Sequence, residues 1–230
     1  MTTQPPSEPC RTSGQGRKAS LIPLLGLMLV VPAIATAERI EIGRFSVGSL
    51  EGWGHKSFVS ETLYTLQQDG NRRALRADSQ ASASGLYYRA RIDLNRTPYL
   101  NWSWRVDNLL PGHDERTKAG DDYSARIYVV FSGGLMFWRT RAINYVWSSN
   151  QPVGSEWPNA FTANARMIAV RSSATAPGIW VSEKRDVRAD YRRLFGTDPG
   201  LAEAVAIMTD SDNTGLAARA WYGDIWFSSE

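Results

Sequence analysis

Residues 99–131, YLNWSWRVDNLLPGHDERTKAGDDYSARIYVVF, decide the fold class. In the first part of this stretch Leu100, Trp102, Trp104 and Val106 alternate with Asn101, Ser103 and Arg105. Successive side chains of a strand point to opposite faces, so a period of two predicts a strand with one face in a core. Residues 125–131 are apolar at almost every position and read as a more central strand, covered on both faces. A polar loop joins the two and ends in Gly120-Asp121-Asp122-Tyr123, with Lys118, Arg105 and Arg126 close in sequence.

Further strand patterns lie on both sides. Residues 44–50 and 57–66 flank a Gly52-Trp53-Gly54 turn, and 74–78 and 86–94 follow. Beyond residue 131 come 142–148, 166–171, 180–183, 204–209 and 217–227. The small-residue run 79–85, SQASASG, sits between strands only a few residues apart, which favours a tightly packed strand over a linker. One helix is expected, at 187–195, with Asp186 as its N-cap and Gly196 as its stop. Some ten short strands, one helix and no internal repeat predict an all-β fold, a single β-sandwich or jelly roll.

The N-terminal segment reads differently. Arg11, Arg17 and Lys18 precede an apolar run at 21–34, and Ala35-Thr36-Ala37 fits a small-x-small cleavage site. Residues 1–37 are therefore expected to be a signal peptide, and 38–230 the single mature domain, periplasmic or secreted. A membrane span would need about 20 apolar residues, and Pro23 and Pro32 also count against one. The only cysteine, Cys10, precedes the run, so the domain has no disulfide and its core must come from burial. Three of the 26 basic and one of the 23 acidic residues belong to the leader, which leaves the rest close to balance. That balance gives no support for a nucleic-acid partner.

The polar residues offer several candidate sites. Asp121 and Asp122 could hold a metal or act as an acid/base pair. Alternatively, Arg105, Lys118 and Arg126 neutralise them in a structural ion network. Adjacent strand residues point to opposite faces, so the two carboxylates are not expected to converge. In residues 210–215, Asp210, Asp212 and Thr214 place oxygens on alternate positions, as calcium loops do. The twelfth position is Trp221, not Glu, which excludes an EF-hand. Another calcium site and a plain Asx-stabilised turn both remain open. Apart from calcium, no cofactor is expected.

All nine tryptophans lie beyond the leader. Trp102, Trp104, Trp180 and Trp221 fall in strand patterns and read as core. Trp53, Trp138 and Trp157 lie in loops and Trp147 ends a strand, so these four are candidate stacking platforms for a sugar. Arg105, Asp121, Asp122 and Arg126 are the polar residues expected beside them. His55 and His113 have no ligand spacing, and there is no G-x-S-x-G elbow, H-E-x-x-H or phosphate loop.

The ordered motifs GDDYSARIYVVF, INYVWS, RDVRADYRRLFG, IMTDSDNTG and WYGDIWF resemble the bacterial domain-of-unknown-function family 3047. The resemblance runs over almost all of residues 45–227. It implies an exported single domain with a closing strand similar to that of galactose-binding-like jelly rolls. It carries over no catalytic residues. The function expected is therefore binding of a carbohydrate or cell-envelope glycan without turnover. The alternatives are a carboxylate-based glycan-active enzyme and a scaffold for another envelope protein.

Overall fold

The structure is a computed structural model that describes residues 1–6, 9, 37–132 and 140–230. The leader's apolar run and the candidate platform Trp138 lie outside the described residues. Two units separate in the chain, Met1–Ala35 and Thr36–Glu230, and the fold is that of the second. None of the described helices is long and apolar enough to cross a membrane.

Two sheets form a sandwich. One contains β1 (Arg39–Gly43), β3 (Leu63–Asp69), β4 (Arg72–Gln80), β6 (Tyr99–Val106), β11 (Val181–Asp186) and β13 (Ala217–Ser228). Its strand order is β11-β6-β13-β4-β3, with β1 also paired to β13. The other contains β2 (Trp53–Val59), β5 (Ala83–Asp93), β7 (Ala125–Phe131), β8 (Arg141–Trp147), β9 (Glu156–Pro158), β10 (Ala165–Arg171) and β12 (Leu201–Asp210). Here the order is β2-β5-β12-β7-β8-β10-β9. Among the described strands only β8 and β10 pair in parallel.

The alternation in β6 does what it predicts. Trp102 and Trp104 point inward with their rings edge to face, centroids 5.4 Å apart. Tyr145 and Trp147 from β8 meet them across the sandwich at 5.4 and 5.7 Å. Ile127 and Val129 of β7, Val205 and Ile207 of β12, and Ile225 and Phe227 of β13 fill the same core. Truncating a fully buried tryptophan in such a core costs about 3–5 kcal/mol.

The single helix, α1, spans Val187–Phe195 as expected. Asp186 accepts a hydrogen bond from the Ala189 N–H, and Gly196 closes the helix at φ 69°. Buried Asp190 ties α1 to the sheets through Arg185 and the Tyr145 hydroxyl, and pairs with Arg193 one turn on within the helix.

Several strand expectations are corrected. Residues 44–50 form not a strand but a 3-10 turn, Phe45–Val47, closed by an Arg44–Ser49 bridge. The pattern at 57–66 is two strands in different sheets, because Ser60 turns the chain at φ 53°. The SQASASG run is neither linker nor one strand. It ends β4, turns at Ala81 (φ 45°) and begins β5, which carries the chain from one sheet to the other. Its small hydroxyls fit that crossover: Ser79 bonds Ser211 and Thr62 bonds Ser82, all of them buried.

Candidate functional site

The same alternation that buries Ile127, Val129, Ile207 and Tyr145 sends their neighbours to the opposite face. Arg126, Tyr128 and Val130 of β7 therefore stand on the outer side of the seven-stranded sheet, with Ala206, Met208 and Asp210 of β12 and Asn144 of β8 beside them. The expectation that β7 is covered on both faces is thus corrected: its outer face lines a cleft.

The cleft has a volume of about 530 Å³, within the usual range of ligand sites. Phe58 of β2 and Phe161 stand in its wall, 64% and 59% exposed. An apolar trough of about 230 Å³ shares Phe58, Tyr128 and Met208 with it and continues along the sheet. Gly85 and Ala206 keep that trough open, since neither carries a bulky side chain. At Gly85 a Cβ would approach the Ile207 carbonyl oxygen to 2.9 Å, so the close pairing of β5 with β12 at this point also requires glycine.

Asn144 lies on the floor and is 1% exposed. Neither its Oδ1 nor its Nδ2 has a hydrogen-bond partner among the described residues, and the same holds for Arg126 Nε. A buried polar group without a partner costs roughly 1–3 kcal/mol, so such groups call for an explanation.

The acidic pair and the Asp210 loop come together at one end of the cleft. The residue 108–124 loop is held there by Glu115, whose buried carboxylate accepts from the Ser148 hydroxyl and from the Ser149 and Asn150 N–H groups. Asp121 pairs with Arg126 at 3.5 Å and accepts from Asn159 Nδ2 at 3.1 Å. Asp122 turns the other way and accepts from the Asn213 and Thr214 N–H groups at 3.2 and 2.6 Å. Asp210 pairs with Arg126 and accepts from the Tyr123 N–H. Burial pushes the Asp210 carboxyl up, with Asp122 and Asp121 adding to the rise and Arg126 opposing it. Asp212 is half-buried and is raised by burial first and by Asp122 second.

Oxygens of Asp122, Asp210 and Asp212 lie within 4.8 Å of one another, a spacing that a metal could bridge. The donor set nevertheless fits calcium poorly. Calcium takes six to eight oxygen ligands, whereas Asp122 spends both oxygens on peptide N–H groups and Asp210 binds a guanidinium. Thr214 also leaves the expected set, because its hydroxyl serves the turn through Ser211 O and Leu216 N–H.

Other expected site residues fall elsewhere. Arg105 lies on the outer face of the six-stranded sheet, paired with Asp69 and Asp107, and not with Asp121 or Asp122. Lys118 sits over the Phe161 ring at 5.5 Å. Trp147 is fully buried against Trp104, and Trp157 is packed with Tyr123, Val146, Met167 and Ala169 under the loop. Neither presents a face to a ligand, so the platform expected of them is corrected. Trp53 is half-buried against Phe45 and Tyr88 and lines a separate surface cavity with Glu41, Arg44 and Glu51. Trp180, expected in the core, is half-buried outside it and donates to Asp69.

The fold and cleft define an all-β sandwich with a ligand-sized depression on one sheet. The chain belongs to the family described as "Protein of unknown function (DUF3047)", whose model matches residues 51–226. Among curated protein sequences no match is found. Solved structures similar to this chain include a family 11 carbohydrate-binding module of a cellulosomal cellulase of Clostridium thermocellum. It shares 8% identity at TM-score 0.44, over 84% of this chain and 94% of that one. Another is a CBM27-1 module of Caldicellulosiruptor saccharolyticus in complex with mannohexaose, at 11% identity and TM-score 0.43, over 85% of this chain and 99% of that one.

Proposed function

We propose that this is an exported glycan-binding protein that holds its ligand, without turnover, in the cleft between Phe58 and Phe161. The observation that carries the reading is Asn144, buried on the cleft floor with both ends of its amide unpartnered. A sugar ring offers what is missing: hydroxyls that donate and accept, and apolar C–H faces that stack on exposed rings. Phe58, Phe161 and Tyr128 supply those rings.

Binding is favoured over hydrolysis by the state of the acids. A glycosidase of the usual kind needs two carboxyl groups free to act on substrate. Asp121, Asp122 and Asp210 are each held by hydrogen bonds or by Arg126. Of the carboxylates lining the cleft, Asp121, Asp210 and Asp212, it is Asp212 that has no arginine pair among the described residues.

The test is a glycan array followed by Asn144→Leu. Replacing an unpartnered amide by an apolar group of similar size is neutral or stabilising. The variant should therefore melt at or above the wild-type temperature yet lose glycan binding. A variant that unfolds more easily and still binds would place Asn144 in the structure and not in the site.

A further inference from the structure

Carboxylates are in excess at the Arg126 end of the cleft. Asp121, Asp122 and Asp210 are 6%, 0% and 1% exposed; Asp121 and Asp210 pair with the Arg126 guanidinium, while Asp122 and Asp212 stand beside Asp210. Arg126 is committed to Asp121 and Asp210, so little of its charge is left for a ligand. Asp212 differs from the other three. It is half-buried, lines the cleft without an arginine pair among the described residues, and its carboxylate lies beside the Asn213 amide at 3.4 Å and against the Asp122 carboxylate. Asn144 and Arg126 Nε, both buried and unpartnered, look onto the same space, which marks it as a place where a ligand's polar groups are met.

We propose, resting on the glycan reading above, that the cleft selects sugars carrying a free amine over neutral ones and turns away anionic ones, with Asp212 as the residue that meets the ammonium. An ammonium placed there forms charge-assisted hydrogen bonds, about twice as strong as neutral ones, and offsets the surplus negative charge. A uronate or sulfated sugar would instead bring a like charge into a partly desolvated acidic corner, which is a discriminating cost.

The experiment is titration calorimetry with four oligosaccharides of one length: a glucosamine oligomer, its N-acetylated form, the matching glucose oligomer and a galacturonate oligomer. With the amine protonated, the glucosamine oligomer should bind about tenfold more tightly than the glucose oligomer, equivalent to about 1.4 kcal/mol. The preference should vanish at a pH that deprotonates the amine, and the galacturonate should not bind. Asp212→Asn should erase the tenfold preference and leave the glucose affinity within about twofold. Equal affinities for the amine, acetylated and neutral oligomers would overturn the charge selection while the glycan reading stands. Binding of the galacturonate as tightly as the glucose oligomer would overturn it too. Loss of glucose binding along with the preference in Asp212→Asn would overturn the assignment to that residue. No binding by any of the four would sink the glycan reading itself.

Discussion

Asp122 and Thr214 are 92 residues apart in sequence, yet the Asp122 carboxylate accepts from the Thr214 N–H at 2.6 Å. With the Asn213 N–H on its other oxygen, Asp122 clamps the 211–215 turn against the loop that precedes β7. A clamp of this kind sets where Asp210 and Asp212 stand. Asp122→Asn replaces one acceptor oxygen by an amide that cannot accept, and leaves one of the two part-buried peptide N–H groups without its partner. The expected loss is about 1–3 kcal/mol, read from urea denaturation. A midpoint equal to the wild type's would show that the clamp contributes nothing.

The acid cluster also makes stability depend on pH with a definite sign. The Asp212 carboxyl titrates higher in the folded chain than an ordinary aspartate, through burial and then the neighbouring Asp122. Asp210 and Arg126 face it as well, and the Asn213 amide lies beside it. In the window between the two pKa values the folded state binds more protons than the unfolded one. Its contribution is therefore present below the ordinary aspartate range and is lost as pH rises through the folded value. Lowered groups such as Asp69 and Asp78 pull the other way, so the useful quantity is the difference between wild type and Asp212→Asn. Wild-type stability relative to the variant should fall as pH is raised from about 4 toward 7. A flat difference would remove Asp212 from the coupled cluster.

How far the sequence could be read depended on the range of the interactions. The sandwich, the inward Trp102 and Trp104, and the helix between Asp186 and Gly196 follow from local patterns and caps, and all were legible. The cleft was legible only in half. Arg126, Asp121 and Asp210 stand out as charges, but the apolar wall does not. Phe58 follows Lys56 on a short strand at the sheet edge, and Tyr128 hides in a continuous apolar run. The alternation of Ile127 and Val129 with Arg126, Tyr128 and Val130 was the signal available for Tyr128. Trp147 and Trp157 misled because a strand-ending tryptophan can turn into the core between the sheets, and one expected in a loop can sit on a short strand and pack under a loop folded back over the sheet. The fate of Arg105, paired with Asp69 some 36 residues away, is a tertiary fact that sequence neighbours cannot reveal.

Calcium is a direct test of the donor argument. A ligand that binds only the native state raises its stability by about 2.7 kcal/mol at 100 times its dissociation constant. With Asp122 and Asp210 already committed to N–H groups and Arg126, melting curves in millimolar calcium and in chelator should coincide. A rise in melting temperature with calcium, abolished by Asp212→Asn, would restore the loop as a cation site.

Export is checked at the N-terminus. Cleavage after Ala35-Thr36-Ala37 produces a chain that begins at Glu38, where β1 then starts one residue later at Arg39. Intact-mass measurement on protein from the cell envelope should give the mass of residues 38–230. Retention of the first 37 residues would overturn the export reading.

The last prediction separates platform from core among the aromatics. Phe58 and Phe161 are mostly exposed in the wall of the cleft, and Trp147 is fully buried against Trp104. Truncating an exposed ring removes stacking area from a ligand but little from the core, and surface changes away from special features stay within about 0.5 kcal/mol. Phe58→Ala and Phe161→Ala should therefore each weaken glycan binding strongly and leave the melting curve nearly in place. Trp147→Ala should do the reverse, with a loss of about 3–5 kcal/mol from cavity formation and binding retained by whatever remains folded. Trp157→Ala should behave like Trp147→Ala, since its ring fills the smaller core under the loop. Trp53→Ala tests the competing location: its ring lines a separate cavity with Glu41, Arg44 and Glu51, so it should cost part of its packing against Phe45 and Tyr88 without touching glycan affinity. The measurement is calorimetric titration of each variant beside its melting curve. Binding that survives in both phenylalanine variants and disappears in Trp53→Ala would move the ligand site from the outer face of the seven-stranded sheet to the Trp53 cavity.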